Sequence, residues 1–204
     1  MIQAEEIAAA IQTRAGRSGR VMVALAGPPA AGKSTFSAGL AAILPAGQAA
    51  VVPMDGFHFD DGVLRTLGRS HRKGAPDTFD FGGFKALLQR LRAGEADVAI
   101  PIFDRSMELS RAAAAIVGTG VRFVLVEGNY LLLNEEPWTQ LASLFDYSVF
   151  IDVPEAELDR RLVERWREHG REPQAARRWI DTNDMPNIRR VLAHQRPADL
   201  VVRG

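Results

Sequence analysis

Residues 27–34 match a complete phosphate-binding loop, because they read GPPAAGKS and fit the pattern G-x-x-x-x-G-K-[ST]. The apolar run 21–26 before this loop predicts a buried strand, and the apolar spacing of residues 35–44 predicts a helix that ends before Pro45. Glycines let the chain wrap a polyphosphate at backbone distance, and the N–H groups at the start of the helix attract the anion. This order predicts a nucleotide-binding α/β fold. A glycine-rich turn that binds nothing is the alternative.

The residues of this loop have separate predicted roles. Lys33 would reach the β- and γ-phosphates of a nucleotide, and the hydroxyl of Ser34 would coordinate Mg²⁺. The other residues of the loop that we expect to contact the nucleotide are Gly27, Ala30, Ala31, Gly32 and Thr35.

The composition of the chain excludes several classes of protein. Its 204 residues suit one α/β domain that spans residues 1–204. Lys plus Arg and Asp plus Glu both number 25, so no excess of positive charge favours a nucleic-acid partner. There is no cysteine, and therefore no disulfide framework and no thiolate site. Without a signal peptide or an apolar run of membrane-spanning length, we expect a cytoplasmic protein with no membrane insertion. A homodimer stays open.

Apolar runs alternate with helical patterns along the chain. A first helix is expected over residues 2–14, followed by a joint at residues 16–19. Residues 56–83 lack periodicity and are expected to form a long functional loop. The alternation predicts a mostly parallel sheet with helices on both faces. The other strands are expected at 49–54, 98–103, 121–126, 147–153 and 199–202, and the other helices at 84–91, at 154–170 and from Pro173 onwards.

Three acidic residues follow predicted strands, at the sheet edge where ligands bind in such folds. Asp55 could accept a proton from an attacking hydroxyl group there, although a turn aspartate is the alternative. Glu127 has the form of a Walker B acid that would hold Mg²⁺. Asp152 fits the same description, but the Val-Pro pair after it favours a cap of the next helix.

Arginines are concentrated on the predicted helix 154–170 and its exit. They could belong to a mobile lid, about residues 155–178, that neutralises charge on a transferring phosphoryl group. Glutamates alternate with them, so an exposed face with many ion pairs is the alternative. The arginines concerned are Arg160, Arg161, Arg165, Arg167 and Arg171.

The long loop contains the candidates for binding a second substrate. His58 and His71 have no metal-ligand partner at suitable spacing, so they are expected to be polar loop residues. The segment 72–80 mixes charged and aromatic residues near the predicted phosphate edge, which makes it the leading candidate for binding a phosphoryl acceptor.

Several segments together resemble a known family. The phosphate-binding loop is joined by segments 55–58, 72–80, 101–105 and 127–130, which read DGFH, RKGAPDTFD, PIFDR and EGNY. In this order they resemble the phosphoribulokinase/uridine kinase family, which includes the bacterial-type pantothenate kinases. The resemblance spans nearly the whole chain and is nearest to the short bacterial branch often labelled fructose-transport-system kinase.

The resemblance implies a P-loop kinase fold, with a three-layer α/β/α arrangement, a five-stranded parallel core sheet and a helical lid. It implies transfer of the γ-phosphate of ATP, with Mg²⁺, to a hydroxyl group of a small metabolite. Asp55 would be the catalytic base, acting with Lys33, Glu127 and Arg165. The residues of the matched segments that would contact the acceptor are Asp55, Phe57, His58, Asp77, Phe79, Asp104, Arg105 and Tyr130.

The lid resembles the family pattern more loosely than the other segments. Arg161 and Arg171 would contact the nucleotide, but Glu164 and Trp166 stand among the arginines. The chain also has Gly56 where uridine kinases have serine, and both departures weaken a uridine assignment. We expect a sugar such as fructose as the first acceptor, and pantothenate or a nucleoside next. Residues 183–187, which read NDMPN, resemble the short branch but have no assigned role.

Two alternatives belong to other functional classes. A regulatory GTPase would need a guanine-reading Asn/Thr-Lys-x-Asp segment, which the sequence lacks, although residues 80–83 fit the weak Asp-x-x-Gly pattern. A nucleotide-dependent regulatory or binding protein with little transfer activity would have much the same sequence as a kinase.

Overall fold

The computed structural model describes residues 2–14 and 19–204, so the predicted joint at 16–19 lies outside the described residues except for Gly19. The strands are β1 (Val21–Ala26), β2 (Ala49–Pro53), β3 (Val98–Asp104), β4 (Leu109–Val117), β5 (Phe123–Gly128), β6 (Tyr147–Asp152) and β7 (Leu200–Arg203). Five of them form a parallel sheet in the order β2-β5-β1-β6-β7, whereas β3 and β4 pair in a separate antiparallel hairpin.

The helices follow the strands along the chain. They are α1 (Ile2–Arg14), α2 (Lys33–Ile43), α3 (Asp61–Thr66), α4 (Phe81–Arg92), α5 (Glu155–Glu168), α6 (Pro173–Trp179) and α7 (Met185–His194). A five-residue π turn, Ile180–Asp184, joins α6 to α7.

Successive side chains of β1 point to opposite faces of the sheet, and each face has its own layer of helices. Val21, Val23 and Leu25 belong to a core with residues of α1 and α2. Met22 and Ala24 belong to the core on the other face, to which α4 contributes four buried side chains. The predicted three-layer α/β/α arrangement with a five-stranded parallel core is therefore confirmed.

The hairpin is the main difference between the predicted and observed strands. The sequence predicts strand 98–103, which is present but lies outside the central sheet, and it does not predict β4. Most of β4 is exposed or half-buried, so neither face of the strand needs apolar residues. Its sequence therefore lacks the strict alternation of apolar and polar residues that indicates a strand. The pairing register shifts between Ile100 and Ile102, around Pro101, as expected for a proline within a strand.

Two further predictions differ from the structure. Residues 56–83 are more regular than a long loop, since they contain α3 and short 3₁₀ turns. Asp152 does not cap the next helix, because Pro154 occupies the N-cap position of α5 and no side chain caps it. Within the described ranges, no helix combines the length and the apolar character needed to cross a membrane.

Candidate active site

The phosphate-binding loop connects β1 to α2 at the carboxyl edge of the sheet. A Cβ atom at Gly27 would lie 2.8 Å from the carbonyl oxygen of Ile151, so only glycine allows this close approach to β6. Gly32 has a φ of +89° and no side chain caps the helix that follows it. The first N–H groups of α2 therefore have no intrahelical partner, which leaves them available to an anion.

Lys33 extends from this helix into the space beside the loop. Its Nζ donates hydrogen bonds to the carbonyl oxygen of Pro28, at 2.8 Å, and to Oδ1 of Asn129, at 2.6 Å. Burial lowers the pKa of Lys33 to about 8, although the carboxylates of Asp55 and Glu127 act in the opposite direction. The ammonium group is thus held in place while lacking the full charge compensation that a phosphate would supply.

Glu127 is the penultimate residue of β5 and lies next to the loop. Its Oε1 accepts a hydrogen bond from the hydroxyl of Ser34 at 3.0 Å. Its Oε2 is buried and has no hydrogen-bond partner among the described residues. Burial raises the pKa of Glu127, and the hydrogen bond from Ser34 offsets this only in part. A buried carboxylate oxygen without a donor, next to a hydroxyl group, fits a site for a hard cation.

Asp55 lies in the turn after β2 and pairs with a residue from the hairpin. Oδ2 of Asp55 accepts a hydrogen bond from Nη2 of Arg105 at 2.9 Å. The next residue, Gly56, has no room for a Cβ atom, which would overlap the carbonyl group of Pro101 in β3. This close packing of the hairpin against the turn after β2 brings Arg105 to the carboxylate.

The charges around Asp55 keep its carboxylate ionised. Burial is the largest influence on its pKa and raises it, but His58, Arg105, Lys33 and Arg165 together lower the pKa of Asp55 below its ordinary value. Burial lowers the pKa of His58 itself, and the neighbouring carboxylate of Asp55 acts in the opposite direction. The result is a carboxylate that is 31% exposed at the cavity surface and surrounded by cations.

Helix α5 carries two of the predicted lid arginines to the cavity. Nη1 of Arg161 lies 3.4 Å from the carbonyl oxygen of Ala30, so its guanidinium sits over the loop, and its Nε donates to Glu157. Arg165 lines the same cavity and forms no ion pair with any described residue. Burial, followed by the like charge of Arg105, lowers the pKa of Arg165, and the carboxylate of Asp55 acts in the opposite direction.

The other three arginines of the cluster form ion pairs or stack on aromatic rings. Arg160 pairs with Glu157 and Glu164 on the exposed side of α5, and Arg167 also pairs with Glu164. Both therefore fit the solvent-face interpretation. Arg171 lies between two indole rings, with its guanidinium carbon 4.3 Å from the ring centre of Trp166 and 4.8 Å from that of Trp179.

These groups surround one cavity of about 1060 Å³ at the carboxyl edge of the sheet. Several predicted site residues line it together, namely Ala30, Gly32, Lys33, Ser34, Thr35, Asp55, His58, Arg105, Glu127, Arg161, Arg165 and Arg171. No group of three or more His, Cys, Asp or Glu residues that could hold a metal ion by themselves occurs in the described part of the chain. A cation here would need oxygen atoms from a ligand as well as from Ser34 and Glu127.

The structure does not bring every predicted site residue to the cavity wall. Two residues of the loop face away from the cavity, since Gly27 packs against Ile151 and Ala31 is buried in a core. Phe57, Phe79 and Tyr130 pack into the main core instead, because their large rings gain more from burial there than at a polar surface. Tyr130 also donates a hydrogen bond to the carbonyl oxygen of Gly74.

Two predicted acidic residues serve local structure. Asp77 pairs with Arg69, and Asp104 accepts hydrogen bonds from Ser106 and pairs with Arg111. Asp80, from the weak Asp-x-x-Gly pattern, caps the N-terminus of α4. These three carboxylates are therefore occupied by neighbouring residues.

Sequence reasoning did not predict several residues that line the cavity. Asn129 comes directly after β5, two residues beyond Glu127, and this position at the edge of the sheet could have predicted it as a site residue. The indole rings and the segment 183–187 carry no local signal for the site, since only the tertiary fold brings them there. Lys73 belongs to the predicted segment 72–80, and the residues with polar or aromatic groups that were not named as site residues include Asn129, Trp166, Trp179, Asp184 and Asn187.

Comparison with known proteins shows what this chain is similar to. The profile of the Phosphoribulokinase / Uridine kinase family matches residues 22–203. The protein YggC of Escherichia coli K12 is 37% identical over 189 residues, which cover 90% of this chain and 77% of YggC. A pantothenate kinase of Myxococcus xanthus is 30% identical over 155 residues, which cover 71% of this chain and 49% of that kinase. The chain thus spans about half the length of that relative.

One solved structure is similar over almost its whole length. The crystal structure described as "putative fructose transport system kinase" from Silicibacter sp. TM1040 has a TM-score of 0.93 and 43% sequence identity. The match covers 98% of each chain. The hairpin, the sheet and the helices around the cavity therefore belong to one shared fold.

Proposed function

We propose that this chain, which belongs to the phosphoribulokinase/uridine kinase family of ATP-dependent small-molecule kinases, transfers the γ-phosphate of ATP to a hydroxyl group of a small polar metabolite. Kinases of this family use ATP with Mg²⁺. One observation carries the proposal: the carboxylate of Asp55, the ammonium of Lys33 and the guanidinium of Arg165 line one cavity.

The phosphates of ATP would lie on the loop between β1 and α2. The unpaired N–H groups at the start of α2 would donate to the phosphate oxygens, and Lys33 would exchange its bond to Asn129 for one to the β- or γ-phosphate. Arg161, already placed over the loop, would contact the same phosphates from the lid side.

Ser34 and Glu127 would hold Mg²⁺ through the hydroxyl oxygen and the unpartnered Oε2. When bound there, the cation would neutralise charge on the β- and γ-phosphates. The raised pKa of Glu127 reflects an anion that is buried without its counter-charge, which is consistent with a residue that normally has a cation beside it.

The transfer step would use Asp55 to orient and deprotonate the acceptor. The hydroxyl oxygen of the acceptor would bond to the γ-phosphorus, the bond from that phosphorus to the bridging oxygen would break, and ADP would leave. The hydroxyl proton would pass to Asp55. Because cations lower the pKa of Asp55, its carboxylate is a weak base, and its main contribution would be to hold the hydroxyl group in line.

Arg165 would act on the charge that develops during transfer. Its guanidinium has no ion-pair partner among the described residues and faces the same cavity as Lys33. An unpaired cation there would strengthen its interaction with the phosphoryl oxygens as they move towards the acceptor. Helices α5 and α6 would form the lid that carries it and that excludes water from the site.

A sugar such as fructose is the acceptor that we propose first. The similar Silicibacter structure is described as a "putative fructose transport system kinase", and the match covers 98% of this chain. Pantothenate follows, because the chain matches pantothenate kinases over only about half of their length. A nucleoside is the remaining candidate.

The proposal is tested by incubating the purified chain with ATP, MgCl₂ and a panel of sugars, sugar acids, pantothenate and nucleosides, and measuring ADP release and the phosphorylated product. We expect at least one acceptor to raise ADP release above the acceptor-free rate, and the Lys33→Met variant to lose this increase. If Mg²⁺–ATP binds but no acceptor produces a phosphorylated product, the regulatory or binding alternative would replace the kinase.

A further inference from the structure

Residues 183–187 have no part in the reaction described above, yet two of their polar side chains are deeply buried. Asn183 is 1% exposed and Asn187 is 2% exposed. The segment spans the end of the π turn Ile180–Asp184 and the start of α7. Burial of amide side chains is unfavourable unless they make specific hydrogen bonds, and π turns within helices frequently occur at functional sites.

On one side, this segment is attached to the lid helices. Oδ2 of Asp184 accepts a hydrogen bond from Nε1 of Trp166 in α5 at 2.8 Å. Burial raises the pKa of Asp184, and hydrogen bonds from Trp166 and Trp179 partly offset this. Arg171 lies between the same two indole rings, so α5, α6 and the π turn form one packed unit.

On its other side, the segment is attached to the loop Arg72–Gly74, which we call the acceptor loop. Nδ2 of Asn183 donates to the carbonyl oxygen of Lys73 at 2.8 Å. Arg72 donates from Nη2 to Oδ1 of Asn187 at 3.0 Å and from Nη1 to the carbonyl oxygen of Thr182 at 2.7 Å. The acceptor loop is therefore bonded to the π turn and α7 through three hydrogen bonds.

The acceptor loop carries Lys73 to the cavity. Nζ of Lys73 pairs with Asp61 at 2.8 Å and lies 5.4 Å from the ring centre of Phe103. Across the same cavity, Arg165 directly precedes Trp166 in α5. A continuous series of contacts thus runs from Arg165, through Asp184 and Asn183, to the backbone of Lys73.

We propose that Asn183, Asp184 and Asn187 are positioning residues that couple the lid to the acceptor loop, so that a nucleotide bound under α5 also orders the loop around Lys73. The inference rests on the proposed function, since that function places the nucleotide under α5 and the acceptor beside Asp55. Binding at one side then stabilises the other side through two rigid connections, and the coupling is reciprocal.

Hydrogen–deuterium exchange of the full chain tests this coupling without a known acceptor. The probe is the nonhydrolysable ATP analogue adenylyl imidodiphosphate with MgCl₂. In the unsubstituted protein we expect the probe to slow amide exchange in residues 27–36, in α5 and in residues 70–76, with the last slowed by roughly fivefold or more. In Asn183→Leu, a variant of similar volume without the donor, we expect the slowing at 70–76 to vanish and the other two to persist.

Matched variants separate coupling from a general loss of structure. Asp181→Asn changes an exposed residue of the same π turn that pairs with Arg177, and it should behave as the unsubstituted protein. Arg72→Gln removes two of the loop's bonds from a half-buried position and should reproduce the effect of Asn183→Leu even if that variant folds poorly. Asn187→Asp keeps the acceptor for Arg72 and should retain the slowing, whereas Asn187→Leu should lose it.

The outcomes distinguish this inference from the proposed function. Slowing at 70–76 that is unchanged in Asn183→Leu and Arg72→Gln would overturn the coupling, and so would a slowing of residues 27–36 and α5 without any effect at 70–76 in the unsubstituted protein. A probe that slows exchange nowhere, including residues 27–36, would instead contradict the nucleotide site itself.

Discussion

The guanidinium of Arg105 lies 2.9 Å from the carboxylate of Asp55, although Asp55 follows β2 and Arg105 follows β3, far along the chain. The pair joins the turn after β2 to the hairpin, and it is the only ion pair of Asp55 among the described residues. Arg105 therefore both fixes the orientation of the carboxylate and helps to keep it ionised.

Replacement of Arg105 with glutamine is expected to raise the pKa of Asp55. Burial raises the pKa of Asp55, and without Arg105 fewer cations oppose this effect. The carboxylate therefore binds a proton more readily, and the decline of the transfer rate at low pH begins at a higher pH. A carbon-detected NMR titration of the Asp55 carboxyl group measures this pKa directly. Arg111→Gln, which removes the pairing partner of Asp104 on the same hairpin, is the control and should leave the pKa of Asp55 where it is.

Lys33 is expected to take up protons when a nucleotide binds. Burial lowers the pKa of Lys33 to about 8, so in the free protein at pH 8 about half of the molecules have Lys33 uncharged. A bound phosphate would raise that pKa. Binding measured by calorimetry at pH 8 in buffers of different ionisation enthalpy should show uptake of about half a proton.

The same argument predicts the pH dependence of nucleotide affinity. Since the protonated lysine is the form that attracts phosphate, affinity should fall as the pH rises above 8. Lys33→Arg remains charged throughout this range, so its affinity, whatever its level, should not fall. An equal decline in both proteins would show that another group is responsible.

Glu127→Gln is expected to remove the contribution of Mg²⁺ to nucleotide binding. The variant keeps a partner for Ser34 but loses the charge that the buried Oε2 would offer to the cation. In thermal unfolding experiments with ATP, MgCl₂ should raise the midpoint of the unsubstituted protein well above that with EDTA. In the variant we expect the two midpoints to coincide, and an undiminished difference would assign the cation to other residues.

Arg165→Ala is expected to reduce phosphoryl transfer by roughly 10³-fold or more, with little change in ATP affinity, because its cation would act mainly on charge that develops during transfer. Arg160 on the same helix is the matched control, since it is exposed and its ion pairs within the described part of the chain are with glutamates. Arg160→Ala should change the rate by no more than about twofold. Equal effects of the two variants in a single-turnover assay would place Arg165 outside the transfer step.

The elements that local pattern determines were predictable from the sequence. The family membership is confirmed by the profile match, and the strand–loop–helix unit around Lys33 is confirmed because adjacent residues set both the glycine turn and the helix start. Glu127 was placed at the end of β5 by the same reasoning, since the carboxyl ends of parallel strands share one edge.

What could not be predicted depends on contacts between distant segments. The exposed strand β4 gives no apolar alternation, so the sequence predicts only the first strand of the hairpin that carries Arg105 and assigns it to the main sheet. The aromatic rings of Phe79 and Tyr130 matched a family segment, but only the packed core shows that they lie behind the cavity wall. Trp166 and Asp184 come together through tertiary packing of α5 against the π turn.

The most direct test of this account is the rate of phosphoryl transfer by Asp55→Asn, measured with radiolabelled ATP and the best acceptor from the panel, beside the dissociation constant for Mg²⁺–ATP. The variant has nearly the same shape but cannot accept the proton of the hydroxyl group. We expect a loss of transfer of roughly 10²–10⁴-fold with nucleotide affinity essentially unchanged. Transfer at a near-normal rate would contradict the role of Asp55 and the placement of the acceptor beside it.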